Sequence, residues 1–205
     1  MNKPWYRKST YKRSSGTTRH IRNRILILCE GKKTEPNYFS KFPVDIDVKI
    51  DVDGSGANTL SLVEDAIRIG KEAASRHQNY NQIWCVFDRD SFPAENFNKA
   101  FTVAERNKIR IAYSNQCIEL WFLLHYIFFD SAIDRKDYIV KLSELMGRKY
   151  EKNSDEMYAL LKSKQSTAIK NAKKLSKCYF PCNPEKDNPS TNVQDLVEAL
   201  NKFTK

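Results

Sequence analysis

The sequence predicts an α/β fold: a parallel sheet flanked by helices, with a basic helical extension at its C-terminal end. Three observations predict it. Two short apolar runs, Ile25–Cys29 and Ile83–Phe87, each stop abruptly at an acidic residue. Helical periodicity alternates with these and other strand-like runs, the pattern of β-α-β units. Past Asp130 the strand signals stop and Lys-rich helical stretches take over.

The first element, Arg24-Ile25-Leu26-Ile27-Leu28-Cys29, is continuously apolar after its arginine and ends at Glu30-Gly31. A run this short, bounded by Gly and Pro, reads as a strand buried on both faces. Pro36 then opens a short helix through Phe39. Val44, Ile46, Val48, Ile50 and Val52 alternate with acids and a lysine, which predicts a half-exposed strand ending at Gly54. Asn58 is placed to cap an amphipathic helix with Val63, Ala66, Ile67, Gly70 and Ala74 on one stripe. The run Ile83–Phe87 is a second buried strand ending at Asp88-Arg89-Asp90. A helix over Glu95–Arg106, a strand near Ile109–Tyr113 and an apolar helix over Gln116–Phe128 follow. Segments 135–146, 154–177 and 190–203 read as helices, the last opening on a capping box from Thr191 to Gln194.

The 205 residues fit one α/β domain and an extension. The expected division is a basic arm over 1–23, a core over 24–130 and a helical extension over 131–205 packed on the core. Charge follows the same division. Residues 1–24 carry eight Lys/Arg and no acid, residues 25–130 sum to −3, and residues 131–205 sum to +5, within a net +10. Basic segments around a mildly acidic core suit a nucleic-acid partner, DNA or RNA, and Trp5, Tyr6 and Tyr11 in the arm add faces for stacking. A solubilising tail is the plainer alternative. No apolar run of membrane-spanning length or secretory leader is seen, so no membrane partner is expected. Five scattered cysteines suit a reducing cytoplasm, and Cys178 and Cys182 lack the second ligand pair of a zinc site.

Chemistry is expected at the strand ends. Glu30 and Asp88 each directly follow a buried strand, and open parallel sheets bind ligands beyond the carboxyl ends of their strands. Asp90 supplies a further oxygen two residues on. Hard divalent ions such as Mg²⁺ take a few carboxylates together with water and substrate phosphate, and such an ion can orient a phosphodiester and activate water. Glu119 is the only formal charge between Arg110 and Asp130, in an otherwise apolar helix. It is read as a fourth site acid, or as half of an ion pair with Arg89. Lys32, Lys33 and Arg89 are candidate phosphate contacts. Gly31-Lys32-Lys33-Thr34 is not a P-loop, because Leu26 stands where the motif needs Gly. His77 and His125 have no partner cluster and are read as structural or surface residues.

The string Leu28-Cys29-Glu30-Gly31-Lys32-Lys33-Thr34-Glu35-Pro36-Asn37-Tyr38-Phe39 resembles the opening motif of the RloB-like family, also known from the AbiL abortive-infection system. Phe87–Asp90, Ser114-Asn115 through Glu119-Leu120-Trp121 with Leu124-His125, and Asn188–Thr191 with Val193 resemble its later blocks. Gln116 departs from the pattern, where Pro is expected after Ser-Asn. The family is similar to Toprim proteins, in which a Glu after the first strand and a D-x-D after a later one work with Mg²⁺. The resemblance implies a Toprim-like core and a Mg²⁺ (or Mn²⁺) cofactor held by Glu30, Asp88 and Asp90. It also implies an ABC/AAA-type ATPase partner encoded nearby and a nuclease role in anti-phage defence. A non-catalytic Toprim-like module binding nucleic acid or the ATPase is the competing expectation. A primase-like nucleotidyl transferase is disfavoured by the short chain.

Overall fold

A computed structural model describes residues 22–45, 47–56, 58–89 and 93–204. Residues 1–21 of the expected arm and the candidate ligand Asp90 lie outside the described residues. Among the described residues, five strands form one sheet: β1 (Asn23–Cys29), β2 (Val48–Gly54), β3 (Gln82–Asp88), β4 (Arg110–Asn115) and β5 (Ser190–Thr191). Their order is β2-β1-β3-β4-β5, and the first four run parallel while β5 pairs antiparallel with β4. This is the expected α/β architecture.

The helices are α1 (Thr34–Phe39), α2 (Thr59–Ser75), α3 (Ala94–Arg106), α4 (Glu119–Leu124), α5 (Arg135–Met146), α6 (Met157–Leu161), α7 (Gln165–Ser176) and α8 (Val193–Asn201). Successive strand residues point to opposite faces, so a strand apolar at every position needs cover on both. In β1, Ile25, Ile27 and Cys29 join a core completed by α1 and α4 through α8, whereas Leu26 and Leu28 join a smaller core under α2 and α3. In β3, Trp84 and Val86 face the first core, and Cys85 and Phe87 face the second. The larger core contains residues from Ile25 to Leu200, so side chains past Asp130 and side chains of the central strands share one interior.

Several elements differ from expectation, each for a local reason. β2 starts at Val48, because Asp45 donates its N–H to Phe203 and accepts that of Val48 in a turn that delays pairing. The apolar helix expected over Gln116–Phe128 is confined to Glu119–Leu124. Its last carbonyls are taken by side chains: Trp121 O lies 2.9 Å from His125 Nδ1, and Leu124 O accepts Asn171 Nδ2 at 2.8 Å. Segment 154–177 is broken by a tight turn at Lys162–Lys164. The capping box at Thr191 does not form, since Thr191 belongs to β5 and Asn192 precedes α8. Asn192 Oδ1 instead accepts the N–H of Tyr113 at 2.7 Å, and its Nδ2 donates to Ile111 O at 2.9 Å, so this side chain serves the backbone of β4. The Asn58 cap is present, accepting from Ser61 N at 3.0 Å.

Candidate active site at the carboxyl edge of the sheet

β1 and β3 are adjacent and parallel, so their carboxyl ends emerge side by side. Glu30 remains on this seam, its N–H donating to Val86 O at 2.9 Å. Its side chain reaches across, and Glu30 Oε2 accepts the backbone N–H of Asp88 at 3.2 Å. A cavity of about 280 Å³ opens there, with Glu30, Lys32, Lys33, Asp88 and Glu119 in its wall. Five of the seven residues expected at the site therefore converge. Arg89 lies in the wall of a neighbouring cavity, its guanidinium 5.4 Å from the centre of the Phe97 ring. Asp90 is outside the described residues.

The structure adds a carboxylate that sequence reasoning passed over. Glu35, in the first turn of α1, is buried and lines the same cavity. An acid in the first turn of a helix is favoured by the local dipole, which offsets part of its desolvation. Gly31 makes room for it: a side chain at residue 31 would collide with the carboxyl group of Glu35. Gly54 plays the complementary part at the end of β2, where a Cβ would fall 2.6 Å from Gly31 O and 2.7 Å from Lys32 Cα. The usable signal was the run Glu30-Gly31 followed by a second acid opening a helix.

Glu119 begins α4 and is almost fully buried, at 3% exposure. The Tyr150 hydroxyl donates to its Oε1 at 3.0 Å. The cation beside the cluster is Arg135, the first residue of α5. Its Nη2 donates to Asp88 Oδ2 at 3.2 Å and to Gln116 O at 2.8 Å. Lys152 joins the wall through a loop tied to α1, where Thr34 Oγ1 donates to Asn153 Oδ1 and Asn37 Nδ2 to Asn153 O. Arg135, Tyr150 and Lys152 all come from beyond residue 130, and no local motif announces them.

The electrostatics are those of a crowded acidic pocket. Burial pushes the Asp88 carboxyl well above the usual range, Glu35 adds to this, Arg135 opposes it, and Glu119 and Glu30 contribute further. Glu35 is raised by burial first, against its own backbone hydrogen bond, and further by Glu119, with Lys152 and Arg135 opposing. Desolvation and like charges both disfavour ionised carboxylates, and a cation among them would reverse the effect. Among the described residues, no three His, Cys, Asp or Glu side chains are assembled as a ready-made metal centre. Mg²⁺ does not need one, because it commonly takes one or two carboxylates and completes its shell with water and phosphate.

The remaining motif blocks support the same edge. Ser114 and Asn115 pair with Thr191 and Ser190. Ser114 Oγ and Thr191 Oγ1 lie 3.0 Å apart, and Asn115 Nδ2 donates to Asp187 O. The chain matches the RloB-like protein family over residues 25–200. It belongs to that family. Neither the curated proteins nor the solved structures contain a match. In this RloB-like chain, the block around Glu30 and the blocks through Asp88 and Glu119 all reach one cavity, and the block around Thr191 braces the strand beside it. Among the described residues, no helix is long and apolar enough to cross a membrane.

Proposed function

We propose that this RloB-like chain is a Toprim-type endonuclease dependent on Mg²⁺ or Mn²⁺, cleaving nucleic-acid phosphodiesters as the effector of an ATPase-coupled anti-phage system in the cytoplasm. The observation that carries the reading is the meeting of Glu30 and Asp88 at the carboxyl edge of two adjacent parallel strands, within one cavity that also holds Glu35 and Glu119. The donor set fits a hard divalent cation: it is all carboxylate oxygen, and its buried members are held in a state that positive charge would relieve.

In this reading Glu30 and Asp88 hold the metal, and Asp90 offers a third oxygen. A bound divalent ion supplies Lewis acidity toward the phosphate and lowers the pKa of water. Glu30 is also placed to take a proton from an attacking water, since it reaches across the strand seam at the cavity wall. Glu35 and Glu119 are positioned as outer carboxylates or as ligands of a second ion, and Tyr150 fixes the orientation of Glu119. Lys32, Lys33 and Lys152 supply positive charge at the wall where a phosphodiester would approach, and Arg135 extends it from α5. Arg89 would meet the strand further along.

One observation favours a non-catalytic reading, in which the chain binds nucleic acid or the ATPase without cutting: Arg135 already gives Asp88 a cationic partner. Melting curves with and without Mg²⁺, beside cleavage assays on single- and double-stranded DNA and RNA with and without the ATPase, separate the two. A ligand that binds only the native state raises the melting temperature. A Mg²⁺-dependent rise and Mg²⁺-dependent cleavage, both lost in Asp88→Asn, support the nuclease. No rise and no cleavage under any condition leave the binding module.

A further inference from the structure

Beside the acidic cavity lies a second one, larger at about 660 Å³ and different in chemistry. Four cations, two acids (Asp134 and Glu185) and the side-chain amides of Gln116 and Asn188 are among its lining residues. Arg135 belongs to both cavities and is the wall between them. The volume lies in the range of small-ligand sites, where a few placed polar groups fix orientation.

Two features separate this cavity from a generic basic groove. The first is its side-chain amides. The Gln116 backbone carbonyl accepts Arg135, and its half-exposed side-chain amide lines the cavity. Asn188 stands in the same lining, and its buried Oδ1 is without a partner among the described residues. Buried polar atoms are nearly always satisfied, so an amide left short of a donor points to a ligand that brings one after a small rotation of the side chain. The second feature is placement. Gln116 and Arg135 are joined by a hydrogen bond, and the same guanidinium group contacts Asp88, so a ligand held by the amides would extend directly from the acidic cavity.

We infer that the second cavity is a base-binding subsite for the nucleotide next to the scissile phosphate, holding an unstacked base from single-stranded nucleic acid. The inference rests on the nuclease reading for its substrate class. Arg135 grips the phosphate at the junction, and Gln116 and Asn188 present amides to the edge of the base. Carboxamides pair bidentately with bases that show an adjacent donor and acceptor, above all adenine. A base in a paired, stacked duplex cannot enter such a cavity without being extruded, so single strands or loops bind in preference to duplex.

The test measures binding apart from cleavage. Fluorescence anisotropy is recorded for full-length Asp88→Asn, as a non-cleaving host, with labelled 12-nucleotide single strands of DNA and RNA. The strands carry adenine, cytosine, guanine, thymine or uracil, or an abasic residue, at one central position. The expected result is a base-dependent affinity, with the abasic strand roughly fivefold or more weaker than the best base, the discrimination one good amide–base pair gives. Adding Gln116→Ala should remove most of that difference while leaving the abasic strand's affinity unchanged. Equal affinity for all central residues, or a Gln116→Ala loss that is as large for the abasic strand, overturns the subsite. Circular dichroism confirms folding, and Gln116→Asn, which keeps the amide, should restore part of the discrimination. Failure of the nuclease reading looks different: wild type then cuts none of these strands in Mg²⁺, with or without the ATPase, whatever the base dependence of binding.

Discussion

Asp51 and Asp88 are both strand aspartates in the same sheet, yet they are held in opposite ways. Asp51, on β2, is ringed by partners: Lys49 Nζ lies 2.9 Å from one oxygen, and Arg24 Nη2 at 3.1 Å and the Tyr80 hydroxyl at 3.0 Å share the other. Desolvation is the largest single effect and pushes its pKa up, but the hydrogen bonds from Lys49, Tyr80 and Arg24 together outweigh it, and the pKa falls below the ordinary 3.8. Asp88 has one arginine against three neighbouring carboxylates in a deeper site, and its pKa rises. The first arrangement is complete within the chain. The second leaves carboxylates crowded around Asp88, a condition that the proposed metal would relieve.

The comparison is broken most severely by changing Asp88. Asp88→Asn keeps the shape and removes one charge from the cluster, so the fold should persist and the metal-free protein should melt at the same or a higher temperature. Under the nuclease reading, Mg²⁺-dependent cleavage should fall by roughly a hundredfold or more. Turnover on a nucleic-acid substrate, with calorimetry on the same sample, checks both halves. A large loss of stability in the variant would mean that Asp88 is a structural partner of Arg135, like Asp51 among its own cations.

A second effect tests burial without a charged cluster. His125 is buried just past α4 beside Trp121, with ring centres 4.8 Å apart, and burial lowers its pKa from 6.5 to about 4 despite backbone hydrogen bonds that oppose the change. The folded state binds this proton less readily than the unfolded chain. Its stability contribution is therefore fully present above about pH 6.5 and is lost as pH falls toward 4. The shift corresponds to roughly 3 kcal/mol at most, at about 1.4 kcal/mol per unit. Urea titrations at pH 7 and pH 4.5 on wild type and His125→Asn should show the larger fall in wild type. Equal falls would show that the imidazole takes up its proton without opening the core.

Tyr150 gives a smaller effect that bears directly on the site. Its hydroxyl donates to buried Glu119, and Tyr150→Phe removes that donor while keeping the ring beside Phe122. Leaving a buried acceptor short costs about 1–3 kcal/mol. If Glu119 faces a bound ion, Mg²⁺ should recover part of the lost melting temperature. If it faces only protein, the loss should be the same with and without Mg²⁺.

These contrasts also mark how far the sequence could be read. The strands were legible because burial on both faces demands uninterrupted apolar runs, and such runs are conspicuous. Glu30 and Asp88 were legible because they stand where those runs stop. Glu35 was harder, since a first-turn acid is ordinary and its burial depends on Gly31 and the packing of α1. Arg135, Tyr150 and Lys152 were not legible, because their place in the cavity is set by tertiary packing across more than a hundred residues of chain in the case of Lys152 and Glu30. The capping box failed for a related reason: Thr191 had a local use as a cap, and pairing with β4 prevailed.

The mildest perturbation returns to Asp51. Asp51→Asn keeps a side chain that can still accept from Tyr80 and Arg24, but it loses the charge that makes both ion pairs. The site is partly open to solvent, so screening leaves about 1 kcal/mol for the variant to lose at pH 7. The sign with pH is fixed by the lowered pKa. The carboxylate stabilises the fold above about pH 3.8, the ordinary value, and that contribution fades as pH falls through the lower folded value. Wild type and Asp51→Asn should therefore differ in denaturant midpoint at pH 7 and converge as the pH is lowered through the folded value. Added salt at pH 7 should narrow the gap, since partly exposed pairs are screened. Mg²⁺ should leave it unchanged, because Asp51 already has its cations within the chain. A Mg²⁺-dependent gap at Asp51 would erase the distinction between the two aspartates and move the metal site toward β2.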